Sequence, residues 1–252
     1  MSKSIALELY TIRESLQNEA DFRDAMAKTR AAGYGAVELA GASPDIPAAA
    51  IKAALDDAGL TCMATQAGLD ALTDGIERTI EDLKTLDCTH TALAAGPASM
   101  RSAEGYAELA RILTDTGRKL ADHGIKLAYH NHSFEFERYG SRTGFDILYE
   151  ESDPRYLEAK LDTAWVQRAG GDVVDWIRKL SNRMTVIHFK DYTIKDNEIV
   201  LTEVGEGNLN WPGIIDACKK TNLEWYVVEQ DRCERDPFTS IKISYDNLRG
   251  MV

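Results

Sequence analysis

Three stretches decide the fold of this chain: LDTAW at residues 161–165, VIHFKD at 186–191 and VVEQD at 227–231. In each, an apolar run with the length and β-branched character of a buried parallel strand ends at a residue that can bind a divalent metal. A fourth run, IKLAY at 125–129, ends in the same way at HNH, residues 130–132. Because such residues recur at the ends of successive strands, the sequence predicts that they form one site.

The rest of the chain repeats the same alternation of strand and helix. Strand-like runs lie at 5–10, 35–39, 60–66, 89–95, 125–130, 156–162, 183–189 and 224–229, and segments with helical periodicity lie between them. Asn210 and Asp236 precede prolines as N-caps do, and Gly33, Gly59 and Gly124 stand where helix C-caps are expected. Eight βα units in 252 residues predict a single (β/α)8 TIM-barrel domain over residues 1–252.

Composition narrows the function classes. The chain has 41 acidic and 29 basic residues, a net charge of −12, which would repel a phosphate backbone, so we expect no nucleic-acid partner. No apolar stretch approaches the roughly 18 residues of a membrane span, and we expect no membrane partner. The first ten residues lack the apolar core of a secretory signal, so cytoplasmic residence is the expectation.

If the chain forms a barrel, strand alternation predicts which side chains point into the barrel interior. If Glu229 points inward, so do Val227 and Trp225; if His188 does, so do Val186 and Met184. With Asp162 inward, Lys160 also enters the barrel and needs a carboxylate partner, for which Glu8 is our prediction. The long connection 191–210 contains a possible hairpin around residues 195–197, and it is either a lid over the site or a plain surface excursion.

The chain resembles the xylose isomerase-like TIM-barrel superfamily of sugar isomerases and epimerases, whose relatives include ketose 3-epimerases, inosose dehydratases and, more distantly, endonuclease IV. The resemblance spans nearly the whole chain. It is carried by LYTIR at 9–13, GAVE at 35–38, YHNH at 129–132 with EF at 135–136, LDTAW at 161–165, HFKD at 188–191, GEG at 205–207 and EQD at 229–231. It implies a barrel with its active site at the carboxyl ends of the strands.

The resemblance also implies a metal site. Epimerases of the family hold one divalent cation with Glu, Asp, His and Glu from strands five to eight. Asp162, His188 and Glu229 match the last three, whereas His130 stands where those enzymes have the first Glu. His130 can be the fourth ligand or can support the others through a hydrogen bond. Two imidazoles and two carboxylates suit Mn, Zn, Co or Fe better than Mg.

Proton transfer needs groups beside the metal. In the related epimerases the carboxylates of strands five and eight share removal and return of a proton, so the change at position 130 leaves this chain one base short. We predict Glu229 as ligand and base, and Glu135 and His132 as acid/base groups or hydroxyl contacts. Both lie on a predicted loop, where a solvated role is the alternative.

Four further residues are predicted to contact substrate. Lys190 is predicted as a hydrogen-bond donor, with a salt bridge to Asp191 as the alternative, and Tyr10 and Trp165 as walls against a sugar face, with core packing as the alternative for Trp165. Glu38 either contacts substrate or pairs with a cation inside the barrel.

Together these residues predict a divalent-metal-dependent isomerase or epimerase that acts on a small keto-sugar or polyol through an enediolate. The alternative is a lyase, inosose dehydratase-like or keto-glycoside-cleaving, that begins with the same proton abstraction. An endonuclease IV-like nuclease and a non-catalytic sugar-binding barrel are less favoured. The expected partner is a small-molecule sugar, and whether the chain also forms homo-oligomers is left open by the sequence.

Overall fold

Eight parallel strands close into a barrel in the computed structural model of this protein, which describes residues 4–252. Residues 1–3 lie outside the described residues. They belong to the predicted domain over residues 1–252 and to the N-terminal stretch on which the expectation of cytoplasmic residence rests. The strands are β1 (Ser4–Glu8), β2 (Ala36–Leu39), β3 (Thr61–Ala67), β4 (His90–Leu93), β5 (Lys126–His130), β6 (Glu158–Asp162), β7 (Val186–Phe189) and β8 (Trp225–Val228). The prediction of a (β/α)8 barrel is confirmed.

Helices surround the barrel. The α-helices among residues 4–252 are α1 (Glu19–Ala31), α2 (Ala48–Ala58), α3 (Leu69–Leu72), α4 (Ile76–Thr85), α5 (Ala103–Ala121), α6 (Gly144–Glu151), α7 (Thr163–Arg168), α8 (Val173–Lys179), α9 (Trp211–Lys219) and α10 (Pro237–Met251). Short 3-10 helices lie at Leu9–Ser15, Ala98–Met100, Phe134–Phe136 and Ser181–Arg183. Asn210 and Asp236 cap α9 and α10 as predicted, and Gly59 ends α2 in a left-handed conformation with φ of 67°, which glycine adopts without a Cβ clash.

Strand boundaries differ from the prediction at several ends. The first strand stops at Glu8 rather than at residue 10, because Leu9–Ser15 turns into a 3-10 helix whose Leu9 and Ile12 are buried in the core. The sixth and seventh strands begin at Glu158 and Val186, two and three residues later than predicted. The site residues keep their places at the carboxyl ends.

Inside the barrel, small and branched residues fill the half away from the site. Ala6, Ala36, Met63, Ala64, Val186 and Val227 form one buried cluster, with Trp225 packed against it. Val186, Val227 and Trp225 therefore face inward as predicted. Met184 does not belong to this cluster and lies in the larger core of the fold, because it precedes the start of β7 and is not bound by the alternation of that strand.

Lys160 also enters the barrel interior, but its partner is not the predicted Glu8. Its Nζ forms a buried salt bridge with Glu38 on β2. The prediction failed because a sequence gives the side of a strand on which a residue lies but not the distance across the barrel.

A hairpin leaves the barrel directly after β7. It pairs Asp191–Lys195 with Glu198–Thr202, and Asp196 and Asn197 form its turn with φ of 51° and 66°. We call it the mouth hairpin. It confirms the hairpin predicted around 195–197.

No helix among residues 4–252 is long and apolar enough to cross a membrane.

Candidate metal centre and active site

Four side chains meet at the carboxyl ends of the last four barrel strands. His130 ends β5, Asp162 ends β6, His188 lies in β7 and Glu229 follows β8. Each is buried and offers one ligand atom, and these four atoms all lie within 4.8 Å of one another. Convergence of strand ends around one axis brings together residues that are up to 99 positions apart in the sequence.

Each of the two histidines turns one ring nitrogen toward the cluster and the other toward an acceptor outside it. His188 Nδ1 lies 2.7 Å from Glu229 Oε2, and its Nε2 lies 2.8 Å from Glu38 Oε2. His130 Nε2 lies 3.5 Å from Asp162 Oδ2, and its Nδ1 lies 3.4 Å from the carbonyl oxygen of Ala94. A carboxylate or carbonyl behind the ring fixes the orientation of metal-binding histidines in the same way.

Asp162 is held with one oxygen free for the cluster. Its Oδ1 accepts the backbone N–H of Trp165 at 3.0 Å and caps α7, while Oδ2 faces His130 and Lys190. Its own N–H donates to Asn131 Oδ1 at 3.0 Å. The sequence order Asp-Thr-Ala-Trp therefore makes Asp162 both the end of a strand and the cap of a helix.

Charge in this region favours a bound cation. Among residues 4–252, five acidic side chains lie at the mouth beside two lysines: Glu8, Glu38, Asp162, Glu229 and Asp231, with Lys160 and Lys190. Burial alone would lower the pKa of His188, but the charges of Glu38 and Glu229 raise that pKa to about 9. A divalent cation would displace the proton that this raised pKa places on His188, and its charge would offset the cost of burying more carboxylates than lysines. The donor set therefore fits one divalent metal.

Lys190 lies within the carboxylate cluster. Its Nζ is 3.1 Å from Asp162 Oδ2, 3.0 Å from Glu229 Oε1 and 2.7 Å from Asp231 Oδ2. Burial alone would lower the pKa of Lys190, but these carboxylates raise it well above its ordinary value. The lysine is therefore charged and orients the carboxylates that face the predicted metal.

The alternative of a Lys190 salt bridge to Asp191 is wrong. Asp191 turns away from the mouth, and its Oδ2 accepts N–H groups from Gly205, Gly207 and the Trp211 indole at 3.0, 3.0 and 2.6 Å. Successive residues of an extended segment point to opposite sides, which separates the two side chains.

Glu38 lies behind His188. Both of its oxygens are engaged, one by Lys160 and one by His188, and the side chain is fully buried. Burial alone would raise its pKa, but the charges of Lys160 and His188 lower it to about 2. This arrangement favours the pairing with a barrel cation over the predicted contact with substrate.

A cavity of about 370 Å³ opens at the cluster of His130, Asp162, His188 and Glu229. The residues that line it include His130, His132, Glu229, Asp231 and Tyr10. Tyr10 is 38% exposed and carries the guanidinium of Arg13 at 4.2 Å from its ring centroid. The cavity is large enough for a small molecule in contact with the cluster.

His132 and Trp165 form an aromatic wall. Their ring centroids are 5.5 Å apart, and Lys190 Nζ lies 5.1 Å from the Trp165 ring. His132 lines the cavity, and its buried Nδ1 has no hydrogen-bond partner among residues 4–252. Trp165 instead lines a second cavity of about 660 Å³ between α7 and the mouth hairpin, and Asp231 lines both.

Glu135 lies in the short 3-10 helix Phe134–Phe136, directly after the loop that carries His132. It is fully buried and is not among the residues that line the cavity. One oxygen accepts the Tyr129 hydroxyl at 2.8 Å, and the other accepts the backbone N–H of His132 at 2.8 Å. The geometry favours a positioning role over the predicted proton transfer to substrate.

Two residues that line the cavity were not predicted from the sequence to belong to the site. Glu8 lines the cavity at the end of β1, and Asp231 contacts Lys190 and also lines the cavity. Glu8 was predicted only as the partner of Lys160. The signal that could have found it is strand alternation: Ala6 faces the barrel interior, so Glu8, two residues later and at the end of β1, points to the mouth.

The fold and this site define a family. Residues 26–249 match the family model described as xylose isomerase-like TIM barrel. The chain belongs to this family, as the resemblance predicted.

Comparisons with individual proteins add detail. An inosose dehydratase from Mesomycoplasma hyopneumoniae is 28% identical over 166 residues, which cover 58% of this chain and 55% of that protein; the chain thus spans about half the length of the curated relatives it matches. A sugar phosphate isomerase/epimerase from Parabacteroides distasonis superposes with a TM-score of 0.83 at 21% identity, covering 99% and 94% of the two chains. A probable 3-DHS dehydratase of petrobactin synthesis from Bacillus anthracis superposes with a TM-score of 0.76 at 17% identity, covering 98% of each chain.

Proposed function

We propose that this protein is a divalent-metal-dependent enzyme that removes the proton beside the carbonyl of a small keto-sugar or keto-polyol. The observation that carries the proposal is the buried cluster of His130, Asp162, His188 and Glu229, opening on a cavity sized for a small molecule. One Mn, Zn, Co or Fe ion suits this mixed set of nitrogen and oxygen ligands. Bound there, it would polarise a carbonyl and stabilise negative charge on its oxygen.

The protein's own residues supply the rest of the chemistry. Glu229 lines the cavity, which supports its assignment as the base that takes the proton and leaves the electron pair of the C–H bond in an enediolate. Lys190 holds Glu229 and Asp162 by charge. His132 offers its unpartnered nitrogen to a substrate hydroxyl.

The proposed outcome is isomerisation or epimerisation, in which the proton returns to another carbon or to the other face. Dehydration is the second candidate, and two observations favour it. The relatives at 28% identity are inosose dehydratases, and His130 replaces the carboxylate that a two-base epimerisation uses in the family. In dehydration the same abstraction is followed by loss of a β-hydroxyl.

The test is deuterium exchange in D2O, followed by mass spectrometry on a panel of ketoses and inososes with the Mn-loaded protein. We expect deuterium at the carbon beside the carbonyl for at least one compound, with mass otherwise retained for isomerisation or epimerisation and with loss of water for dehydration. Metal-loaded protein that exchanges no proton in any of these compounds contradicts the proposal.

A further inference from the structure

Glu8 is a buried carboxyl group that faces the active-site cavity. It is the last residue of β1, is 2% exposed, and lines the cavity together with His130, His132 and Glu229. Because β1 pairs with β8, with Leu7 beside Val228, Glu8 approaches the cavity from the strand next to the one that delivers Glu229.

Within residues 4–252, Glu8 has few partners. Its Oε1 accepts a hydrogen bond from Gln66 Nε2 at 3.1 Å. Its buried Oε2 has no hydrogen-bond partner, and no described cation forms a salt bridge with this carboxyl group. The lysine that the sequence offers as a partner, Lys160, is engaged by Glu38. A buried polar atom without a partner is costly, so its retention beside a cavity points to a ligand that completes it.

The surroundings of Glu8 favour its neutral form. Burial and the negative charges of Glu229 and Glu38 raise its pKa well above the ordinary value, against a smaller opposing effect of Lys190. A neutral carboxyl group can donate a proton, whereas an ionised one can only accept. Glu8 and Glu229 line the same cavity from neighbouring strands, so a second carboxyl group, with one oxygen free of partners, lies on the cavity wall beside the proposed base.

We propose that Glu8 is the second proton-transfer residue of this enzyme, the general acid that acts after Glu229 has removed the substrate proton. The proposal rests on the proposed function. It places the missing second acid/base of the site on strand one rather than on strand five, where His130 stands.

The step balances for either outcome. After abstraction, the C–H electron pair lies in the enediolate double bond and the proton lies on the base. In epimerisation the double-bond pair takes the proton of Glu8 at the carbon and the carbonyl re-forms. In dehydration the carbonyl re-forms, the double-bond pair moves between the α and β carbons, and the β C–O bond breaks; its electron pair stays on the departing oxygen, which takes the proton of Glu8 and leaves as water. Glu8 ends as a carboxylate, and exchange with solvent returns its proton while the base loses the one it took.

The experiment compares wild type with Glu8→Gln, which keeps the shape of the side chain and removes the proton. Glu81→Gln, on the exposed face of α4, is the matched control. Metal content, deuterium exchange into substrate and product formation are measured for all three. For Glu8→Gln we expect wild-type metal content, exchange within a few-fold of wild type, and product formation reduced by about 10²-fold or more.

The outcomes separate the two proposals. Product formation by Glu8→Gln within threefold of wild type overturns the role of Glu8, and so does loss of exchange in parallel with loss of product, since that places Glu8 in the first step. Wild-type protein that binds metal but exchanges no substrate proton overturns the proposed function, and with it the role of Glu8.

Infrared difference spectroscopy of wild type and Glu8→Gln at neutral pH tests the protonated state of Glu8 without turnover. The carbonyl stretch of a neutral carboxyl group is expected in wild type, and its absence contradicts the general-acid role.

Discussion

At the scale of single residues, Glu38 connects two basic side chains that are buried in the barrel. It bridges Lys160 and His188 in the interior of the barrel with no exposure to solvent. Removing one member of a buried ion pair leaves the other charge uncompensated, which costs far more than losing a surface pair. Glu38 thus supports both the stability of the barrel and the orientation of His188.

Glu38→Gln is expected to reduce the free energy of unfolding by roughly 3–5 kcal/mol, because Lys160 remains buried without a counter-charge. Metal affinity should fall about 10–100-fold, since the ring of His188 loses the carboxylate that orients it. Urea unfolding and metal titration measure the two effects. Adding Lys160→Met should recover much of the stability, and a double variant no more stable than Glu38→Gln contradicts the account.

Glu135 predicts a pH dependence. Burial raises its pKa from 4.5 to about 7, despite hydrogen bonds from Tyr129 and the His132 N–H that lower it. Between these values the native state holds a proton that the unfolded state has released, so stability is full below pH 4.5 and falls as pH rises through 7. The loss amounts to roughly 3 kcal/mol.

Glu135→Gln mimics the protonated acid and should remove this slope. The difference in free energy of unfolding between the variant and wild type, measured in urea from pH 4.5 to 8, is expected to shift in favour of the variant as pH rises. A difference that does not change with pH would show that Glu135 is not held protonated.

Residue types at strand ends could be predicted from the sequence, but their partners could not. The metal-ligand set followed from strand ends, and the structure brings the four predicted side chains together. Lys160 was predicted to need a carboxylate partner, but the predicted partner was Glu8, whereas the structure shows Glu38. A salt bridge to Asp191 was the alternative prediction for Lys190, which instead contacts three other acidic residues. Such pairings depend on distances across the barrel, which a one-dimensional pattern does not contain.

At the scale of elements, the mouth hairpin is anchored by one carboxylate. Asp191 starts the hairpin and accepts backbone N–H groups from Tyr192, Gly205 and Gly207, besides the indole of Trp211. It thereby ties the hairpin to the segment that follows it and to the start of α9. The lid role of the hairpin stays a prediction; its turn was predictable because Asp and Asn tolerate the left-handed conformation.

Asp191→Asn should loosen this connection, because an amide offers one acceptor oxygen where the carboxylate offers two. We expect a loss of about 1–3 kcal/mol in the free energy of local opening, seen as faster hydrogen exchange of the Gly205 and Gly207 amides. Asp196→Asn at the hairpin turn is the control, since Asn adopts the same backbone conformation. Equal exchange rates in the two variants would contradict the anchoring role.

At the scale of the whole molecule, the barrel was predictable because strict alternation of strands and helices leaves few topologies. The alternation of strands and helices did not predict where the first strand ends. Residues Leu9–Ser15 form a 3-10 helix instead, and Tyr10 of that helix lines the cavity. The match of Leu9–Tyr10 to a strand pattern is a local property, whereas the turn serves packing of Leu9 and Ile12 in the core.

The net charge of −12 predicts behaviour toward nucleic acid. We expect no retention of duplex DNA containing an abasic site at low salt, because the molecule offers an excess of acidic groups to an anionic backbone. Electrophoretic mobility at increasing salt measures this. Binding of this DNA that weakens steeply with salt would indicate a basic surface and would support the nuclease alternative.

The central claim is that His130, Asp162, His188 and Glu229 hold one divalent metal. Elemental analysis of the purified protein, with His130→Ala and His188→Ala alongside and His123→Ala as an exposed-histidine control, tests it most directly. We expect about one equivalent of Mn, Zn, Co or Fe in wild type and in the control, and loss of that metal in both site variants. Wild-type protein that binds none of these cations, even after incubation with each, would contradict it.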